Sequence, residues 1–113
     1  MITNKINYGD LEKNKWYKIT LIEPEKEVKI HKIPSDRGWS VYIAYNAYFT
    51  DLGSDHRFTI SFPFFKFKRY VDSLPDSLKR GKNIRFEIKK GNHGRMEIKD
   101  WGVAEDERDT GRV

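Results

Sequence analysis

The residues of this chain best placed to do chemistry are aromatic rings set among cations. The stretch FPFFKFKRY, residues 62–70, puts four phenylalanines, one tyrosine and three cations into nine positions. Further on, KRGKNIRFEIKKGNHGR, residues 79–95, carries seven Lys or Arg against a single acid, Glu87. Such a mixture suits single-stranded nucleic acid. A ring stacked on an unpaired base gains about 1–3 kcal/mol with little sequence preference, and a cation beside a phosphate releases counterions. A plainer reading stands beside it, because aromatic stripes commonly serve packing and charge runs are commonly solvated faces.

Catalytic patterns are absent: the sequence has no Walker loop, no GxSxG and no HExxH. It has no cysteine, which excludes disulfides, thiolate metal sites and a Cys nucleophile. His31, His56 and His93 are widely separated, without HxH or HxxxH spacing, so neither metal nor cofactor is expected. Asp51, Asp55 and His56 lie close together and resemble groups a metal-assisted nuclease would use, but a polar hairpin turn accounts for them better. A non-enzymatic protein is expected.

Those rings and cations must be held by one fold. A chain of 113 residues is one domain with one modest core. Charged residues make up 35% and aromatics 14%, so rings must supply much of that core. The net charge is +5, and the last ten residues, AEDERDTGRV, hold four acids and two bases, which leaves residues 1–103 at +7. An anionic partner suits that balance. The division expected is a folded domain over 1–103 and a mobile charged tail over 104–113. Without a membrane-length apolar run or a secretory leader at MITNKINYGD, no membrane partner is expected, and the reading is a soluble, cytoplasmic protein, nucleoid-associated if cellular.

The hydrophobic period is mostly two. WYKITLI alternates from Trp16 to Ile22, Pro24 interrupts, and EVKIHKI resumes, so residues 16–33 form one bent strand or two short ones. After a turn at PSDRG, Trp39, Val41, Ile43, Tyr45, Ala47 and Phe49 share a face predicted to be core, opposite Ser40, Tyr42, Ala44, Asn46 and Tyr48. DLGSDH makes a turn, and RFTISF returns with Phe58, Ile60 and Phe62 inward. At Pro63 the period changes: Phe64, Phe67, Val71, Leu74 and Leu78 recur at helical steps, with Ser61 as candidate cap and Pro75 as stop. Ile84, Phe86 and Ile88, then Met96 and Ile98, mark two last strands around KGNHG. The order β-β-β-α-β-β predicts an all-β fold, a five-stranded OB-fold Greek-key barrel with a short helix between strands three and four, ahead of an SH3-like barrel, which normally lacks a helix at that place.

Three stretches resemble the archaeal and eukaryotic single-stranded DNA-binding OB-folds of the replication protein A type. NYGDLEKNKWYKITLIE, residues 7–23, looks like that family's opening turn and first barrel strand. YFTDLGSDHRFTISF, residues 48–62, is similar to its hairpin between strands two and three, with Asp51 and Gly53 at the turn positions. LPDSLKRGKNIRFEIKKGNHGRMEIKDWG, residues 74–102, resembles its helix end and last two strands. The tail lacks the hydrophobic tip of the bacterial single-stranded DNA-binding proteins, and the zinc-ribbon cysteines of some relatives are missing. The resemblance implies binding of single-stranded DNA in replication or repair, in a groove flanked by the loops after the first and fourth strands.

On these grounds the candidate interface comprises Tyr42 and Tyr48 on the polar face of the second strand, Arg57 across from them, and Phe65 with Lys66 and Lys68 on the exposed side of the helix. Trp39 stands at a loop mouth in core phase, so burial is its default reading, with leaning over the groove as the alternative that places it in the interface. Arg37 with His31 and Lys32, and Lys89, Lys90 and Arg95 with His93, supply the flanking loops. Trp16 and Trp101 are expected to plug the barrel ends. The alternative function is a protein–protein adaptor or subunit, with a protein partner or a homo-oligomer covering the rings, since interfaces favour Tyr, Trp, Phe and Arg too.

Overall fold

The computed structural model describes residues 4–26, 29–36 and 38–104. Arg37, Val28, the tail from residue 105 and the side chains of Leu78 and Trp101 therefore lie outside the described residues. In chain order the elements are β1 (Asn4–Asn7), β2 (Trp16–Leu21), β3 (Lys29–Ser35), β4 (Gly38–Phe49), β5 (Arg57–Pro63), α1 (Phe64–Ser73), the single-turn α2 (Asp76–Lys79), β6 (Asn83–Lys90) and β7 (Met96–Ala104). The chain is thus mostly β with a short helix between β5 and β6, as its periodicity requires.

Among the described residues seven strands are present instead of the five expected. One of the added two comes from Pro24, which divides the first long strand. Glu23 there takes a left-handed φ of 38°, and its N–H is satisfied by Asn83 Oδ1 at 3.0 Å rather than by a ladder. The other is β1, whose four residues carry no recognisable alternation and pair in parallel with β5, Asn4 opposite Phe58 through Asn7 opposite Ser61. The hydrogen-bonded path runs β1-β5-β4-β2-β6-β7, with β3 paired to β4 beside it, so the sheet is mixed and its path open.

Alternation along the strands sends one set of side chains into a common core. Ile19, Leu21, Ile43, Tyr45, Phe58, Ile60, Phe62, Ile84, Phe86 and Ile88 are all buried. α1 closes that inner face. Phe67 stacks on Phe62 with ring centroids 3.8 Å apart and planes 7° apart, and meets Tyr45 edge-on at 5.2 Å. The strand continues through Pro63, which stands at the helix N-cap without a side-chain hydrogen bond. Ser61 is therefore a strand residue and no cap; its Oγ lies 3.0 Å from His31 Nε2.

Tyr8, in the turn after β1, ties the N-terminal strand to the last hairpin: its ring packs 6.1 Å from Phe62 and its hydroxyl donates to the Gly94 carbonyl at 3.1 Å. Burial, with a smaller contribution from Glu97, pushes the Tyr8 phenol up to about 12. Burial and then Asp72 push the Tyr45 phenol up as well.

Two consequences can be measured. Phe67→Ala removes the ring that joins helix to sheet and should cost about 3–5 kcal/mol in urea unfolding, as buried aromatic deletions do. An unfolded tyrosine ionises near pH 10, so raised phenols stabilise the fold fully below that value, and the contribution disappears as pH climbs towards the folded values. Tyr8→Phe should lose about 1 kcal/mol at neutral pH with its hydrogen bond. It should also show a shallower loss of stability than the parent between about pH 10 and 12, with the Tyr45 part remaining.

Candidate nucleic-acid interface

Pleating fixes which side chains can meet on the outer surface of the sheet. Opposite residues in the ladders share a face, so the outer side of β3, β4, β5 and β1 carries Lys29 and His31; Tyr42, Ala44, Asn46 and Tyr48; Arg57, Thr59 and Ser61; and Lys5 and Asn7. No carboxylate belongs to this set among the described residues. Tyr42 and Tyr48 are half-buried. Tyr42 faces His31, centroids 6.2 Å apart, with the His31 ring steadied by Ser61. Tyr48 lies between Thr20 and Arg57 in the register, and the Arg57 Nε donates to the Ser54 carbonyl at 3.2 Å, which orients the guanidinium along the hairpin. Thr59 Oγ1 donates to Asn46 Oδ1 at 3.3 Å.

The outer side of β2, β6 and β7 differs. Lys18 lies 4.0 Å from Asp51, Lys89 lies 3.3 Å from Glu97 and Lys99 lies 4.0 Å from Glu87. Trp16 belongs to this face and is no plug: Lys99 Nζ sits 4.2 Å and Lys89 Nζ 5.0 Å from its ring centre. The strand phase puts Tyr17, not Trp16, towards the core, where it packs 6.1 Å from Phe49.

Trp39 departs from the core expectation. β4 is twelve residues long and pairs with β5 only from Tyr42 onward, so its first residues form a two-stranded ribbon with β3 beyond the packed sheet. A residue in core phase has no core to enter there, and Trp39 is 65% exposed. Phe65 is 73% exposed, edge-on to Phe64 at 5.2 Å. Both belong to the side of β4 that the helix covers, not to the side of Tyr42 and Tyr48. The sequence-derived rings therefore divide between two surfaces.

The cations divide as well. Lys66 is exposed and has no carboxylate partner among the described residues, whereas Lys68 is held by Asp72 at 2.9 Å. In the β6–β7 loop Lys89 pairs with Glu97 and Lys90 donates to the Gly9 carbonyl, while Arg95 remains exposed. This loop and the β3–β4 ribbon leave the sheet at the same end of β5: Tyr42 is opposite Pro63, and the turn that receives the loop through Tyr8 follows Asn7, opposite Ser61. Lys5, Lys29 and Asn46 were missed in the sequence. Only the β1–β5 register brings Lys5 to this face, while Lys29 and Asn46 are unremarkable polar positions until their neighbours are known.

Asp55 and His56 line a cavity of about 580 Å³ at the β4–β5 hairpin with Ile6, Phe49, Leu52 and Phe58. No group of three His, Cys, Asp or Glu able to hold a metal ion occurs among the described residues, and no described helix is long and apolar enough to cross a membrane. No protein-family model matches the chain, and neither a curated protein nor a solved structure shows significant similarity to it.

Because Trp39 and Phe65 are surface rings, Trp39→Ser and Phe65→Ser should each leave stability within about 0.5 kcal/mol of the parent in chemical denaturation. Burial of either ring would show as a loss several times larger.

Proposed function

We propose that this chain is a non-enzymatic, sequence-tolerant binder of single-stranded nucleic acid, DNA ahead of RNA, and that its sheet is an OB-fold variant in which β1 occupies the edge beside β5. One observation carries the reading: the outer side of β3, β4, β5 and β1 presents Tyr42, Tyr48, His31, Arg57, Lys29 and Lys5 with no acid among the described residues, while the neighbouring outer side of β2, β6 and β7 has its lysines matched by carboxylates. An OB-fold takes oligonucleotides on the face of its second and third strands, flanked by the loops after its first and fourth. In this reading those strands are β4 and β5. Tyr42 and Tyr48 stack bases, Arg57 and the lysines meet phosphates, and Arg95 and Lys66 extend the field at the rim. The preference for DNA comes from the resemblance in residues 7–102 alone.

A protein partner or second copy is the other reading, and one separate observation favours it. Ile30, Trp39 and Phe65 are all more than half exposed, and all belong to the helix side of the sheet, away from the tyrosines. Exposed rings such as Trp39 and Phe65 are common in interfaces.

Anisotropy of a labelled oligothymidine, titrated at about 50 and 200 mM salt, separates the two. Nucleic-acid binding predicts that log K falls against log salt by about 0.7 for each phosphate contacted. Tyr42→Ala and Tyr48→Ala should each weaken binding by about 1–3 kcal/mol while the fold persists. No binding at the lower salt, together with sedimentation as a stable dimer that Trp39→Ser disrupts, would favour the protein-interface reading instead.

A further inference from the structure

We propose that the cleft between Lys5, Lys26 and Lys29 is a phosphate subsite, the place where the outer face holds the backbone of its ligand; it rests on the single-strand reading above. The cleft encloses about 270 Å³ and is lined by those three lysines with Ala44, Tyr45, Asn46 and Thr59. Its construction follows from the ladders. Lys5 on β1 is opposite Thr59 on β5, Thr59 is opposite Asn46 on β4, and Ala44, two residues back on β4, is opposite Lys29 on β3. Lys5 and Lys29 thus flank the cleft from strands about three inter-strand spacings of ~4.8 Å apart, and long side chains can converge from both sides on one tetrahedral anion. Ala44 makes the space, since a larger outward side chain there would occupy the floor between Lys29 and Ser61.

The polar lining is ordered rather than merely exposed. The Thr59 hydroxyl donates to Asn46 Oδ1 at 3.3 Å, which ties two of the lining side chains together. Lys26 is held 3.4 Å from Glu23, while Lys5 and Lys29 have no carboxylate partner among the described residues. Two uncommitted ammonium groups beside a third, over a floor without acid, favour an oxyanion and disfavour a cation or an apolar ligand. The same cleft lies one residue pair from Tyr42 and from Tyr48 along β4, so a phosphate here leaves the flanking bases within reach of both rings.

The test uses the full chain and two probes. In the parent protein, inorganic pyrophosphate should shift the NMR signals of the Asn46 side-chain amide and the Thr59 methyl, and Lys5→Gln with Lys29→Gln should abolish those shifts. With oligothymidine the double variant should lower the slope of log K against log salt by about one to two, whereas Lys82→Gln, a charge control outside the cleft, should leave it unchanged. Pyrophosphate shifts at the cleft without any oligothymidine binding would keep the subsite and overturn the single-strand reading. Oligothymidine binding with an unchanged slope in the double variant, and no pyrophosphate shift at Asn46 or Thr59, would overturn the subsite and leave the reading standing. Pyrophosphate shifts spread evenly over the lysines, Lys82 included, would also overturn it.

Discussion

The fold depends on one junction, the change from strand to helix at Pro63 that lets Phe62 and Phe67 stack face to face. Phe62 ends the inward phase of β5, and Phe67 sits one helical turn into α1, so their contact fixes the helix against the inner side of the sheet. Once that side is committed, alternation leaves Arg57, Thr59 and Ser61 on the opposite side, and the ladder to β4 adds Tyr42, Asn46 and Tyr48. A slip of one residue would bury these polar groups and expose Phe58, Ile60 and Phe62. The candidate interface is therefore a by-product of core packing, and its rigidity derives from the same contact.

The two halves of the outer surface differ in field more than in composition. Exposed ion pairs such as Lys89 with Glu97 contribute little stability, in general about 0–1 kcal/mol. Their larger effect is on the potential: each pair cancels a charge that would otherwise act on an approaching polyanion. With no acid to cancel them among the described residues, the cations of β1, β3 and β5 keep their reach. A net charge of +5 says nothing of this arrangement. Neither does the basic run over residues 79–95, whose density is highest where several of the cations are already engaged.

The ribbon of β3 and β4 separates phase from burial. Ile43, Tyr45 and Ala47 obey the alternation read from the sequence and are buried, while Trp39, in the same phase on the same strand, is exposed because the packed sheet ends before it. Trp16 shows the converse, since it was expected to plug a barrel end, yet its phase places it outside between Lys89 and Lys99. Phe65 was legible, because a helical period assigns it to the side away from Phe67, and that side is open.

Local order was determined by the sequence itself: the alternation of β2, β4, β5 and β6, the switch to a helix at Pro63, the buried set Phe58, Ile60, Phe62, Phe67, Ile84, Phe86 and Ile88, and the outward phase of Tyr42 and Tyr48. Each of these follows from periodicity within a dozen residues, which the pleat and the helix impose on any chain. What only the tertiary structure decided is which distant residues share a face. β1 has no alternation to announce it, and Lys5 reaches Asn46 only because a parallel ladder to β5 closes a gap of more than fifty residues. Likewise the pairing of Lys89 with Glu97, and the use of Lys90 by Gly9, are set by strand register and loop position, which no local pattern encodes.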